Sequence, residues 1–334
     1  MSNFKNKYTI QLFIAFASIY VIWGSTFFAI SVALKGFPPF ILSGFRFLIA
    51  GLLLFLWQKS KGQSSNSLIN WKKNAIIGIL ILTGGTGLVA WGEQYVSSTE
   101  AAIAIATGPF WFIALDKKNW KNYFSNIPIV SGLIIGFIGL ILFLKGSISS
   151  SNHDTSSTLR IIAFAVLALS SISWVAGSLY SKNNPADQST FMNSAQQLIS
   201  AGIASIAIAS FKGEWASFHL TAIPLSSWFG LSFLIFFGSI VAYLSYIWLL
   251  EVKDPVLVST HTYINPIVAV LVGWIIASEK IETSQLIGLF VILFGVLLTN
   301  AANYKLSKRT QVKIRKINVV LERISNPYKY ITHY

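Results

Sequence analysis

The sequence predicts an all-α membrane protein in which ten transmembrane helices form two inverted five-helix repeats. Three observations carry that expectation. Hydrophobic residues make up 54% of the 334-residue chain and charged residues 11%, against about 25% charged in a soluble domain. Ten apolar runs are long enough, at roughly 17–25 residues, to cross a bilayer. The two halves also match: SGFRFLIAG at 43–51 finds its counterpart in SAQQLISAG at 194–202, an offset of 151. Two copies of an odd number of spans face opposite ways in a bilayer, the ground plan of many secondary transporters.

The expected spans are 9–34, 38–57, 74–94, 100–115, 127–144, 159–180, 190–211, 223–250, 255–277 and 284–303. The first is too long for the apolar region of a signal peptide and lacks a clear small-residue cleavage site, so it is expected to be retained. The fourth is short because Asp116-Lys117-Lys118 ends it. Gly108-Pro109 in the fourth span is matched by Asn265-Pro266 in the ninth. Gly132 and Gly139 in the fifth are matched by Gly288 and Gly295 in the tenth. These small residues let helices approach closely and are assigned to packing.

A net charge of +14 invites a nucleic-acid partner, but the basic residues alternate between loops, which is a topology signal. With the N-terminus inside, eleven basic residues between Lys5 and Lys253 lie inside. Five lie outside: Lys35, Lys145, Arg160, Lys212 and Lys280. Both termini are therefore expected in the cytoplasm of a bacterial inner (plasma) membrane. The expected divisions are an N-terminus at 1–8, a first repeat at 9–146, a Ser-rich external linker at 147–158, a second repeat at 159–303 and a basic tail at 304–334. The tail is either a solvated segment that fixes topology or a lipid-attracted one, at about 1 kcal/mol per basic residue.

The motifs YVIWGSTFFAI, GFRFLIAG and WGEQYVSSTEAAIAIATGPFW stand in the first half, and YIWLLEVKDPVLVSTHTYINPIVAVLVGWIIASEKIETSQLIGLFVILFGVLL in the second. In this order and spacing they resemble the EamA-type transporters of the drug/metabolite transporter superfamily, from about Tyr8 to Asn303. The resemblance implies inverted repeats, a central cavity and export of small metabolites such as amino acids and related compounds. Many members follow the fourth helix of each repeat with a Leu-Gly-Glu-like turn. Here Ala277-Ser278-Glu279-Lys280 matches loosely, and Asp116-Lys117-Lys118-Asn119 does not match.

Ionisable groups inside a membrane are costly and usually face a cavity. Arg46, with Glu93 on the third helix, suits an outer gate or an anchor for a substrate carboxylate. A structural ion pair or a snorkelling arginine fits the same residues. Gln197 is the repeat partner of Arg46. His261 suits proton coupling, or a neutral hydrogen bond between helices. Pro109 and Pro266 remove backbone donors near mid-depth and mark helix breaks. Interrupted helices at matching positions point to a transport site, with Thr107 and Asn265 adding polar groups. Trp23 and Trp174 match at the offset of 151 and lie inside spans. With Trp111, Tyr243, Tyr246 and Tyr263 they are candidates to contact an amphipathic substrate, or space-fillers between helices.

The expected partners are a small-molecule substrate, membrane lipid and protons as a coupling ion, with no nucleic acid, cofactor or metal. The absence of cysteine excludes disulfides and thiolate metal sites. No nucleotide-binding loop or Ser/His/Asp constellation marks an enzyme, and no repeated filter marks a channel. A membrane-embedded enzyme or a channel without alternating access stays as the alternative.

Overall fold

The computed structural model describes residues 2–63, 67–149, 157–253, 258, 261–278, 282–295 and 297–298. His153, Asp254, Glu279, Lys280 and the basic tail lie outside the described residues, as does the side chain of Tyr263.

The described residues form helices and short connections. Eight helices are long and apolar enough to cross a membrane: α1 (Tyr8–Ala33), α2 (Pro39–Ser60), α3 (Leu68–Gly92), α4 (Ser98–Leu115), α5 (Ile127–Lys145), α6 (Ser157–Asn183), α7 (Thr190–Phe211) and α8 (Leu225–Val252). Two shorter apolar helices, α9 (His261–Ala277) and α10 (Thr283–Gly295), bring the total to the expected ten. Successive helices alternate in direction, so α4, α6 and α8 end on the face from which α1 starts, here termed the N-terminal face.

Local chemistry sets several boundaries. Pro39 opens α2, where its missing N–H would have had no helical partner anyway. Ser67 caps α3 by accepting from Asn70 N, and Ser189 caps α7 by accepting from Met192 N. Ser97 and Glu100 form a capping box at the start of α4. α2 ends at Gly62, whose φ of 75° lets Gly62 N and Gln63 N bond back to Lys59 O and Gln58 O. At the opposite face, the Glu214 carboxylate accepts from Phe40 N and Ile41 N, both at 3.0 Å, and so caps α2 from the α7–α8 connection. Desolvation pushes the Glu214 carboxyl above the usual range. The two amide hydrogen bonds and Lys212 oppose that rise.

Glycines bring helices from the two halves into backbone contact. A Cβ at Gly51 would come within 2.8 Å of Ile199 N, and one at Gly202 within 2.7 Å of Leu48 N. With Gly44 against Ile206, these pairs run α2 antiparallel to α7. α5 and α10 pack the same way, Gly139 against Ile292 and Gly295 against Gly136. Small residues of this kind permit close helix crossings in membranes.

Three helices change winding at mid-depth. π-helical stretches cover Ser18–Ile22 of α1, Ile79–Gly87 of α3 and Leu234–Ala242 of α8. The last two are of equal length and occupy the third helix of each half. α4 is interrupted by a turn at Ala106–Thr107, and α9 carries Pro266 internally. π segments leave carbonyls out of the ordinary ladder and concentrate at functional sites. All five irregular helices contribute to one cavity.

Candidate transport cavity

The cavity has a volume of about 430 Å³ and runs between the two halves. It reaches the N-terminal face, where Asp116, Tyr123, Lys182 and Glu251 line its mouth. At the other end its wall stops at Ile30 and Val89, short of the helix ends.

Four of the rings on the wall cluster together. Trp23 meets Trp174 edge to face at 5.4 Å, and its ring centroid lies 5.0 Å from Tyr246 and 5.2 Å from His261. Trp174 and His261 each lie 5.6 Å from Tyr246. The indole N–H of Trp23 donates to Gly238 O at 3.2 Å, within the π segment of α8. Ser178 shares a 3.2 Å hydrogen bond with the Tyr246 hydroxyl, and His261 Nδ1 lies 2.9 Å from Val258 O. Buried polar tips are thereby satisfied, as the low dielectric requires.

A polar network occupies the wall between α3, α7 and α8. The Tyr243 hydroxyl donates to Gln197 Oε1 at 2.5 Å, and Gln197 Nε2 donates to Asn74 Oδ1 at 2.8 Å. Asn74 Nδ2 donates onward to Asn193 and Gln196. Asn265 turns its amide nitrogen to α1, 3.0 Å from Ile19 O and 3.1 Å from Tyr20 O and His261 O. Ile19 and Tyr20 belong to the π segment of α1. The asparagine thus ties α9 to the irregularly wound stretch of α1.

Arg46 lines the cavity and donates from Nε to Ser239 Oγ at 2.7 Å. Glu93 acts on it electrostatically but does not line the cavity. Trp23, Trp174, Gln197, Tyr243, Asn265, His261 and Pro109 all lie on the wall, whereas Thr107, Trp111 and Pro266 do not. Thr107 turns its hydroxyl back to Ala104 O at 2.8 Å.

One cluster escaped the sequence reading. At the face opposite the mouth, Arg160 Nη2 meets Glu100 Oε1 at 2.7 Å, with side chains 4% and 6% exposed. Gln285 Nε2 donates to the same oxygen at 3.1 Å, and Arg160 Nη1 reaches Tyr95 O at 3.5 Å. The cluster ties the starts of α4, α6 and α10 together. Arg160 had been counted only as a charge on the outer side, at the start of the sixth span. The available signal was the Ser97-x-x-Glu100 capping box, which fixes where Glu100 points.

A ten-helix membrane bundle with a polar, aromatic-walled cavity open at one face has the architecture of a membrane transporter rather than of an enzyme. The sequence pattern of the EamA-like transporter family matches residues 10–145 and again residues 161–301, and the chain belongs to that family. It is 32% identical over 297 residues to the inner membrane transporter YedA of Escherichia coli K12, covering 88% of this chain and 92% of that protein. It is 24% identical over 298 residues to the transporter YoaV of Bacillus subtilis, covering 86% and 96%. A solved crystal structure shares the fold at a TM-score of 0.60 and 17% identity, covering 86% of this chain and 96% of that one.

Proposed function

We propose that the chain is a secondary transporter exporting small amphipathic metabolites, amino acids or related compounds, across the bacterial plasma membrane by alternating access. The observation that carries this is the cavity itself, which has a mouth at the N-terminal face and a wall that stops short of the opposite helix ends, where the buried Glu100–Arg160 pair lies off the wall. The bias of basic loop residues assigns the mouth to the cytoplasm. The two halves, 9–146 and 159–303, are inverted copies in this reading. Its support is reciprocity: Gly51 packs on Ile199 and Gly202 on Leu48, and adding 151 to Gly51 and to Leu48 gives Gly202 and Ile199. Trp23 touches Trp174, its own partner at that offset, as residues near a two-fold axis do. Outward opening then exchanges the Glu100–Arg160 closure for a closure at the mouth.

Efflux from liposomes preloaded with single compounds tests the reading. Trp174→Ala is expected to lower the rate about tenfold or more, equivalent to roughly 1.4 kcal/mol of lost stabilisation. Unchanged efflux would remove the aromatic wall from the transport path. Proton coupling is assigned to His261, which packs between Trp23 and Tyr246 on the wall. His261→Gln is expected to abolish the response of efflux to an imposed pH gradient. A retained response would make the imidazole structural.

A further inference from the structure

The charge of the cavity wall is one-sided in its buried part. Arg46 is 5% exposed and lies on the wall. A guanidinium carries five N–H donors. Nε is used by Ser239, and among the described residues the two terminal nitrogens take no hydrogen-bond partner. One of them sits against Gly238, where a Cβ would make a tight contact, 3.0 Å from Arg46 Nη2. Glu93 lies off the wall and acts on the guanidinium electrostatically. The acidic residues on the described wall are Asp116 and Glu251, both at the mouth. Asp116 accepts from Tyr123 and Glu251 from Thr190, at 2.7 and 2.5 Å.

We propose, resting on the transporter reading above but narrowing its substrates from amino acids to related compounds, that the substrate is a singly charged organic anion. It carries a carboxylate on an apolar, ring-bearing body and has no ammonium group. The free fork of Arg46 matches a carboxylate with two parallel hydrogen bonds, the strongest neutralisation available to a buried guanidinium. Among the described residues an ammonium group entering the same depth meets no carboxylate on the wall, and burying a charge without a partner is costly. The aromatic rings do not replace that partner. Trp23, Trp174, Tyr246 and His261 pack on one another at 5.0–5.6 Å in T-shaped and tilted pairs, whereas an aromatic cage directs several open faces at the cation.

The test holds the ring constant and varies the head group. The purified full chain is titrated calorimetrically at neutral pH with 3-phenylpropionate, phenylalanine and phenethylamine, and efflux of each is followed from liposomes. The anion is expected to bind at least about tenfold more tightly than the zwitterion, whose ammonium group is buried without a charged partner, with no measurable binding of the cation. Arg46→Gln is expected to erase that preference and Arg46→Lys to keep part of it. The wild-type comparison needs no variant, so a folding defect in either leaves the test decisive. Equal or tighter binding of phenylalanine overturns the anion assignment while leaving the transporter reading in place. An anion preference that survives in a folded Arg46→Gln overturns the role of Arg46. Absence of both binding and efflux for all three overturns both readings.

Discussion

Arg160→Met is expected to destabilise the protein by about 3–5 kcal/mol, because it strands the Glu100 carboxylate in a buried site with its charge unpaired. Gln285 remains as a neutral donor to the same oxygen, and Ser97 N donates to the other at 3.0 Å. Neither neutralises the charge. The double variant Glu100→Gln/Arg160→Met removes both charges and is expected to recover most of the loss, since breaking a buried pair costs far more than replacing it. Thermal unfolding in detergent measures the stability. The same variants report on gating. The natural chain has no cysteine, so one introduced at Ile105 on the cavity wall can be labelled by an impermeant maleimide. If the pair seals the outer end, Arg160→Met raises labelling from the side opposite the mouth. A single variant as stable as wild type, or a double variant worse than the single, would sink the assignment of Glu100–Arg160 as the closure.

The number of helices was legible because the bilayer imposes it: a run of apolar residues long enough to span has little alternative. The start of α3 was not. Asn70, Lys72, Lys73 and Asn74 break the apolar run, so the span was expected from residue 74, yet the helix begins at Leu68. Asn74 is fully buried because Asn193, Gln196 and Gln197 of α7 receive it. A pairing across more than a hundred residues leaves no local trace. Trp23 and Trp174 were legible through the repeat offset, which selects residues near the symmetry axis. Thr107 and Trp111 lie off the described wall for a reason that helical phase explains. The wall face of α4 presents Ile105, Gly108, Pro109, Phe112, Ile113 and Asp116, a stripe at steps of three and four. Thr107 and Trp111 fall between those steps. Polarity and aromaticity had selected them, while periodicity, read from the same residues, excludes them.

Gly78→Ala is expected to be among the most damaging single-methyl changes in the chain. The added Cβ would lie 2.1 Å from Gln197 O and 2.7 Å from its carbonyl carbon. Both are backbone atoms inside α7, so no rotamer change relieves the clash and α3 must move away from α7. Overpacking of this kind typically costs about 1–3 kcal/mol and occasionally more. The displacement also pulls on Gln197, which holds Asn74 at 2.8 Å and Tyr243 at 2.5 Å on the cavity wall. Stability and transport are therefore expected to fall together. Gly108→Ala provides the contrast. Gly108 belongs to the Gly-Pro pair that the sequence marks most strongly, yet a Cβ there meets nothing within 4 Å. Its backbone does not have the positive φ seen at Gly62 and Gly213, so alanine is expected to be neutral or to stabilise by about 0.5–1 kcal/mol. Melting temperatures of the two variants side by side decide the matter. If Gly78→Ala melts with wild type, α3 and α7 do not cross in backbone contact, and the polar network around Gln197 loses its basis. If Gly108→Ala is the damaging one, the break in α4 depends on glycine flexibility. The proline then acts only in concert with it, and the mobility of α4 becomes part of how the cavity changes its accessible face.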